Sequence, residues 1–354
     1  MRRGLISQSK AELPDAALDA RIALVRAAMR EARHDALLLY SNNTRPAAVS
    51  WLTGFVPYWS EALLVLLHDR PPVLVVALTY RVKRWIEATS RIAEVIHTPR
   101  LGAEAGRLIA AVKADAALAV PDLAQMPAGI VEDLRAAGPR LVMTDATSAF
   151  ASLRAKADPT EIAFGAKATW IAHRALAAPS PDYIAGGNLN AIIAAIEGEA
   201  RRLGAEEIYI AAAPDLARDA RLRRIEGEAT PGKSFAVRAS VAYKGTWIRL
   251  ARAFADRELI QEATQCLSTA VAGLPGDRGF APFASWLIEG CRVAQPLEPL
   301  MGSRIESPTA PRPGALLSVQ AQVQVGSQAI LVGAPALLGS AGEAASLLIH
   351  PVFP

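Results

Sequence analysis

Three arginines stand where a strand hairpin would bring side chains together. Residues 232 to 252 read GKSFAVRASVAYKGTWIRLAR. Phe235, Val237, Ala239 and Val241 alternate with Ala236, Arg238 and Ser240; Lys244-Gly245 marks a turn, and Thr246 to Ala251 resumes the strand. Arg238 and Arg249 lie eleven residues apart, and Arg252 follows three later. A guanidinium is always charged, offers N–H donors in a fixed fork and has no lone pair, so these residues can hold an anion but cannot ligate a metal. Carboxylate and phosphate are the anions that match the fork. Two such charges about 4 Å apart repel by roughly 4 kcal/mol at an effective dielectric of about 20. Three arrangements relieve this: splaying into solvent, pairing with nearby carboxylates such as Glu226 or Glu228, or sharing a small anion.

Other residue types offer less. His34, His68, His97 and His173 are scattered without ligand-type spacing. His173 reads as a surface or packing residue of a long helix. Cys291 has no base beside it in sequence and reads as a buried, inert thiol. The chain has no Gly-rich phosphate loop ending in Lys-Ser/Thr and no G-x-S-x-G elbow.

Composition narrows the class. With 354 residues, 52% of them apolar and 20% charged, the chain is long enough for two globular domains and is not a disordered one. A net charge of +4, from 38 basic and 34 acidic residues with no dense basic block, argues against nucleic acid as a partner. The opening MRRGLISQSKAELP has no apolar stretch of the kind a secretory signal needs. Ala62 to Leu78 is interrupted by His68-Asp69-Arg70-Pro71-Pro72, so it reads as two strands and a turn rather than a membrane span. Two cysteines make no disulfide framework. The expectation is a soluble, cytoplasmic protein that binds neither nucleic acid nor membrane.

The elements that must position the arginines follow in order. Leu18, Ile22, Val25 and Met29 recur at helical spacing. Strands are then expected at Ala36 to Tyr40, Glu61 to Leu67, Pro72 to Leu78, Ile92 to His97, Ala116 to Val120 and Arg140 to Thr144. Helices are expected between them, giving an α/β unit. Asp158-Pro159-Thr160-Glu161 predicts a capping box with proline in the first helical position. A helix over Leu189 to Leu203, closed by Gly204, a strand over Ile208 to Ala213, the arginine hairpin and a helix over Arg257 to Leu274 come next. Pro313 to Leu338 is strand-rich, with Ser318, Gln320, Gln322 and Gln324 at alternate positions.

The spacing within the hairpin resembles one family, the creatinase/prolidase/aminopeptidase P group of pita-bread proteins. Its hairpin runs G-D-x-x-x-x-D, a turn, then D-x-x-R. Gly232 and Lys233 fall on the leading pair, Arg238 and Arg249 on the two metal-binding aspartates and Arg252 on the trailing arginine. The run SWLTGF, and Leu153-Arg154-Ala155-Lys156-Ala157-Asp158-Pro159-Thr160-Glu161 leading into the second half, are similar to family motifs as well. The resemblance implies an α/β creatinase-type N-terminal domain over residues 1–150. It implies an α+β pita-bread domain over 151–354.

The family's other metal ligands are a histidine and two glutamates. Pro313-Gly314-Ala315-Leu316-Leu317-Ser318-Val319 leads to Gln320 where the first glutamate is expected; Gln328, ahead of Ala329-Ile330-Leu331-Val332, is the match for the second. The histidine falls at Cys291 or at Ser303, and no histidine lies between His173 and His350 in either case. All five ligand positions thus resemble replacements, and neither a metal nor another cofactor is expected. Creatinase, a metal-free member, uses a histidine with glutamates, which this chain does not offer at the matching places.

The expectation is therefore a metal-free, non-catalytic relative of Xaa-Pro peptidases and creatinase. It would act in binding or as one subunit of a homodimer, or of a heterodimer with an active paralogue. One alternative is a metal-independent hydrolase or lyase acting on a small carboxylated amide, with Arg238, Arg249 and Arg252 holding the anion. The other is an ordinary Xaa-Pro metallopeptidase.

Overall fold

The computed structural model describes residues 9–44, 47–57, 59–274, 283–290, 312–339 and 343–348. The chain divides into two compact units, Met1–Arg154 and Ala155–Pro354.

In the first unit α1 (Asp15–Glu31), β1 (Ala36–Ser41), α2 (Ala47–Thr53), β2 (Ala62–Leu67) and β3 (Val73–Val76) follow one another. A short 3-10 turn at Tyr80–Val82 leads into α3 (Lys83–Thr89), then β4 (Glu94–His97), α4 (Leu101–Ala110) and β5 (Ala117–Val120). The unit closes with α5 (Ala128–Ala137), β6 (Val142–Asp145) and α6 (Thr147–Leu153). The six strands form one sheet in the order β4-β3-β2-β1-β5-β6. Successive residues of β1 go to opposite cores. Leu37 and Leu39 pack with α1, α2 and Phe150 of α6, while Ala36 and Leu38 pack with α4 and α5. A sheet covered on both faces needs apolar side chains on both, which is why ALLLYS and ALLVLL read as unbroken apolar runs. The position of α6 in this core also explains why the unit extends to Arg154.

The second unit begins with α7 (Pro159–Leu176), started by the expected capping box. The Glu161 N–H donates to Asp158 Oδ1 at 2.9 Å, and the Asp158 N–H donates to Glu161 Oε2 at 3.2 Å. The short α8 (Pro181–Ala185) and α9 (Leu189–Arg202) follow, then β7 (Glu207–Ala213), β8 (Phe235–Tyr243) and β9 (Thr246–Phe254). After them come α10 (Arg257–Ala272), β10 (Ser285–Gly290), β11 (Leu316–Val325), β12 (Gln328–Leu337) and β13 (Ser346–Leu347). The sheet runs β10-β11-β12-β9-β8-β7, with β13 paired to β12.

The arginine hairpin turns at Lys244 and Gly245, both at positive φ (48° and 77°), the conformation a two-residue hairpin loop requires. One face of the sheet carries the helices. Phe235, Val237, Ala239, Val241, Ile248 and Leu250 share a core with α7 and α9, while Val319, Ala321, Val323, Ile330 and Val332 share one with α10.

β12 and β9 pair at one position, Gly333 with Ala251. Beyond it β13 takes the edge of β12, pairing at Ala336 and Leu337, and the Leu348 N–H donates to the Pro335 carbonyl. Pro335 has no N–H to offer a neighbouring strand. The Arg249 N–H goes instead to Ser318 Oγ at 3.0 Å, so β9 is tied directly to β11.

Among the described residues no helix is long and apolar enough to cross a membrane.

Candidate functional site

Directly paired residues of an antiparallel ladder point to the same face of the sheet, and alternate residues share it. One row therefore runs Ala211, Arg238, Ala251, Gly333, Gln320, Leu287 across six strands. The next row contains Tyr209, Ser240 and Arg249, with Ser318 joined through the Arg249 N–H. This face is opposite the one that carries the helices. Arg238, Arg249 and Gln320 are thus brought to one surface from residues far apart in sequence.

That surface is buried. Arg238 is 2% exposed, Arg249 3% and Gln320 5%; Ser240 and Ser318 are buried with them. Splaying of the two arginines into solvent is ruled out by this burial. Each of the two residues has an interaction with another part of the protein. A buried charge costs several kcal/mol unless it is paired and hydrogen-bonded.

Four expected site residues lie elsewhere or outside the described residues. Gln328 begins β12 opposite Val325, next to the Gly326-Ser327 turn, and its place in the alternation puts it on the helix-covered face. The residue that faces Gln320 is Gly333. A Cβ on Gly333 would stand 3.0 Å from the Val319 carbonyl oxygen, 3.2 Å from Ala251 Cβ and 3.2 Å from Gln320 Cγ, so the row is closed tightly there. Arg252 faces Val237 and so belongs to the helix side, where its Nη1 donates to the Leu176 carbonyl at 3.1 Å. It does not converge with Arg238 and Arg249. Cys291 and Ser303 lie outside the described residues.

Sequence reasoning passed over two polar residues of this face, Glu207 and Tyr209 on β7. Glu207 faces Ala242, and Tyr209 faces Ser240 with its ring 5.8 Å from that of Trp247. Their signal was the alternation Glu207-Ile208-Tyr209-Ile210, which puts both polar side chains opposite the apolar ones.

A divalent metal does not fit the described part of this row. Its hard-ion ligands would be carboxylates or imidazoles, whereas this row and Arg249 of the next offer two cations without lone pairs, a neutral amide and a glycine. Among the described residues no group of three or more His, Cys, Asp or Glu could hold a metal ion. His68 Nε2 contacts the His34 carbonyl at 2.8 Å and His97 Nδ1 contacts the Leu78 carbonyl at 2.9 Å, so these histidines serve the fold of the first unit. His173 is exposed on α7.

Comparison with known proteins agrees with the two-unit architecture. Residues 21–156 match the model of the Creatinase/Prolidase N-terminal domain. The whole chain is similar in structure to a prolidase from Thermococcus sibiricus, with a TM-score of 0.68 at 15% identity over 94% of this chain and 97% of that one. It is likewise similar to an X-Pro aminopeptidase from Thermotoga maritima (TM-score 0.64, 14% identity, 94% and 98% covered). Dipeptidase PepE from Mycobacterium ulcerans gives 0.65 at 17% identity, with 95% and 96% covered. No curated protein sequence matches the chain. The fold is thus an α/β N-terminal domain followed by an α+β pita-bread domain. Residues 21–156 thus carry the Creatinase/Prolidase N-terminal domain, and the likeness to the solved structures shows the prolidase-type fold over the rest of the chain.

Proposed function

We propose that this chain is a metal-free, non-catalytic relative of the Xaa-Pro peptidases and creatinase, acting in binding or as a subunit of a dimer. The observation that carries this reading is the row Arg238, Ala251, Gly333, Gln320: the family's hairpin frame is kept, while the side chains that would bind a metal are replaced by donors and by no side chain at all. A buried arginine at each of two aspartate positions repels a divalent cation instead of attracting it. Gly333 also leaves no room for a carboxylate without movement of Val319 or Ala251.

The experiment is metal analysis and native mass spectrometry of protein purified from its own host, followed by assay against Xaa-Pro dipeptides with manganese, cobalt or zinc supplied. The expected result is an assembly without stoichiometric metal and without turnover. Metal-dependent cleavage of an Xaa-Pro bond that is lost in Arg238→Ala would overturn the reading. A second, different subunit in the spectrum identifies the assembly as a heterodimer, and a mass of twice the chain identifies a homodimer. A monomer of single-chain mass with no retained ligand would remove the support for both binding and assembly.

A further inference from the structure

Arg252, set apart from the other two arginines, has a site of its own. It lies on the helix-covered side of β9, exposed, with Nη1 fixed by the Leu176 carbonyl at 3.1 Å and its guanidinium carbon 5.3 Å from the centre of the Phe254 ring. Phe254 is stacked in parallel on Phe235, with ring centroids 4.6 Å apart and planes 1° from coplanar. These residues line a cleft of about 610 Å³ together with the exposed Lys233 and Ile184 and the half-buried Ile260. Ile184 is one of the large apolar side chains that the described residues leave in solvent, 36% exposed. No carboxylate is among the described residues lining the cleft, which presents two cations beside apolar side chains.

We propose that this cleft binds a small carboxylate with an apolar body, such as an aryl or branched acyl carboxylate. The acid would sit between Arg252 and Lys233, and the apolar body on Phe254 and the two isoleucines. Charge complementarity selects the head group. Arg252 is already held by a backbone carbonyl and an aromatic face, so little side-chain freedom is lost when it takes an anion. Phe254, Ile184 and Ile260 supply apolar area that water gives up on binding, and the buried Phe235 backs the Phe254 ring. Phosphate alone, or a short acid without a body, satisfies half of this description. The site is on the opposite face of the sheet from Arg238 and Arg249, and it does not rest on the function proposed above.

The test uses the full chain labelled for NMR and titrated with hydrocinnamate, with its neutral amide and with propanoate. Hydrocinnamate is expected to bind with about millimolar affinity and to shift the amides of Phe235, Phe254 and Ile260; each of the other two compounds is expected to bind about tenfold more weakly. Lys233→Gln, an exposed change, should weaken hydrocinnamate several-fold at unchanged melting temperature. Arg252→Gln should weaken it further, and it is interpreted only if its spectrum remains that of the folded chain. Equal binding of the amide, shifts confined to other residues, or indifference to Lys233→Gln would each overturn the proposal, as would absence of binding to the parent chain.

Discussion

Gln320 and Gly333 face each other across the β11–β12 ladder, and the same row continues through Ala251 to Arg238. The glycine is a packing requirement as much as a missing ligand. Gly333→Ala puts a Cβ 3.0 Å from a backbone oxygen, which cannot rotate away, and within 3.2 Å of two side-chain carbons. Overpacking of this kind costs about 1–3 kcal/mol. Chemical denaturation of Gly333→Ala should show that loss, and an unchanged midpoint would mean that β12 can move away from β11 at this point.

Arg238 is among the largest fully buried side chains of the protein. Arg238→Ala removes a long side chain from a closed face and disturbs whatever it interacts with; a loss of about 2–5 kcal/mol is expected. Arg238→Met, which keeps most of the volume but no charge, should recover part of that loss. Comparing the two by urea unfolding separates volume from charge. Equal destabilisation would show that the charge matters more than the packing.

The fold was largely readable because period-two alternation and turn chemistry agree. Alternation through Phe235 to Val241, with Lys244-Gly245 between the strands, placed the hairpin. The same rules held the answers that spacing alone missed. Counting five residues back from Val325 and five forward from Gln328, on either side of the Gly326-Ser327 turn, reaches Gln320 and Gly333. Matching the run Ala329 to Val332 to a family pattern ignored that turn and led to Gln328 instead. Arg252 follows Arg249 by an odd number of residues, so a strand must send the two to opposite faces. The replacement of β9 by β13 along β12 was hidden, because it depends on Pro335 meeting a neighbour that is remote in sequence. The strand β10 and the helix α6 were not anticipated, being short elements stabilised by tertiary packing rather than by a strong local pattern.

The capping box at the start of α7 was legible residue by residue, and its contribution can be measured. Asp158→Ala removes the acceptor for the Glu161 N–H and leaves that donor to water. The expected cost is about 1 kcal/mol. Asp158→Asn keeps an acceptor and should cost less. If Asp158→Ala leaves the unfolding midpoint of the second unit unchanged, the helix start is fixed by its packing and not by its cap.

Glu206 gives the protein a pH dependence of definite sign. It immediately precedes β7, with its side chain 14% exposed, at 3.9 Å from Lys244 Nζ, and its Oε2 accepts from the Gly245 N–H at 3.2 Å. Burial pushes its carboxyl up from the ordinary value of 4.5 to about 7, with Lys244 and the turn amides opposing the rise and the adjacent Glu207 adding to it. The folded chain therefore holds a proton there that the unfolded chain has lost, between pH 4.5 and about 7. Stability falls as pH rises through that window and levels off above it, by on the order of 3 kcal/mol from this group. Unfolding free energies measured across the window should show this slope in the parent chain and a flatter one in Glu206→Gln, whose amide oxygen can still accept from Gly245. Lys244→Met removes the opposing cation, so it should extend the slope to higher pH. A parent chain whose stability instead rises from pH 4.5 to 7, with Glu206→Gln following it, would show that Glu206 stays ionised in the fold and that other carboxylates govern the response.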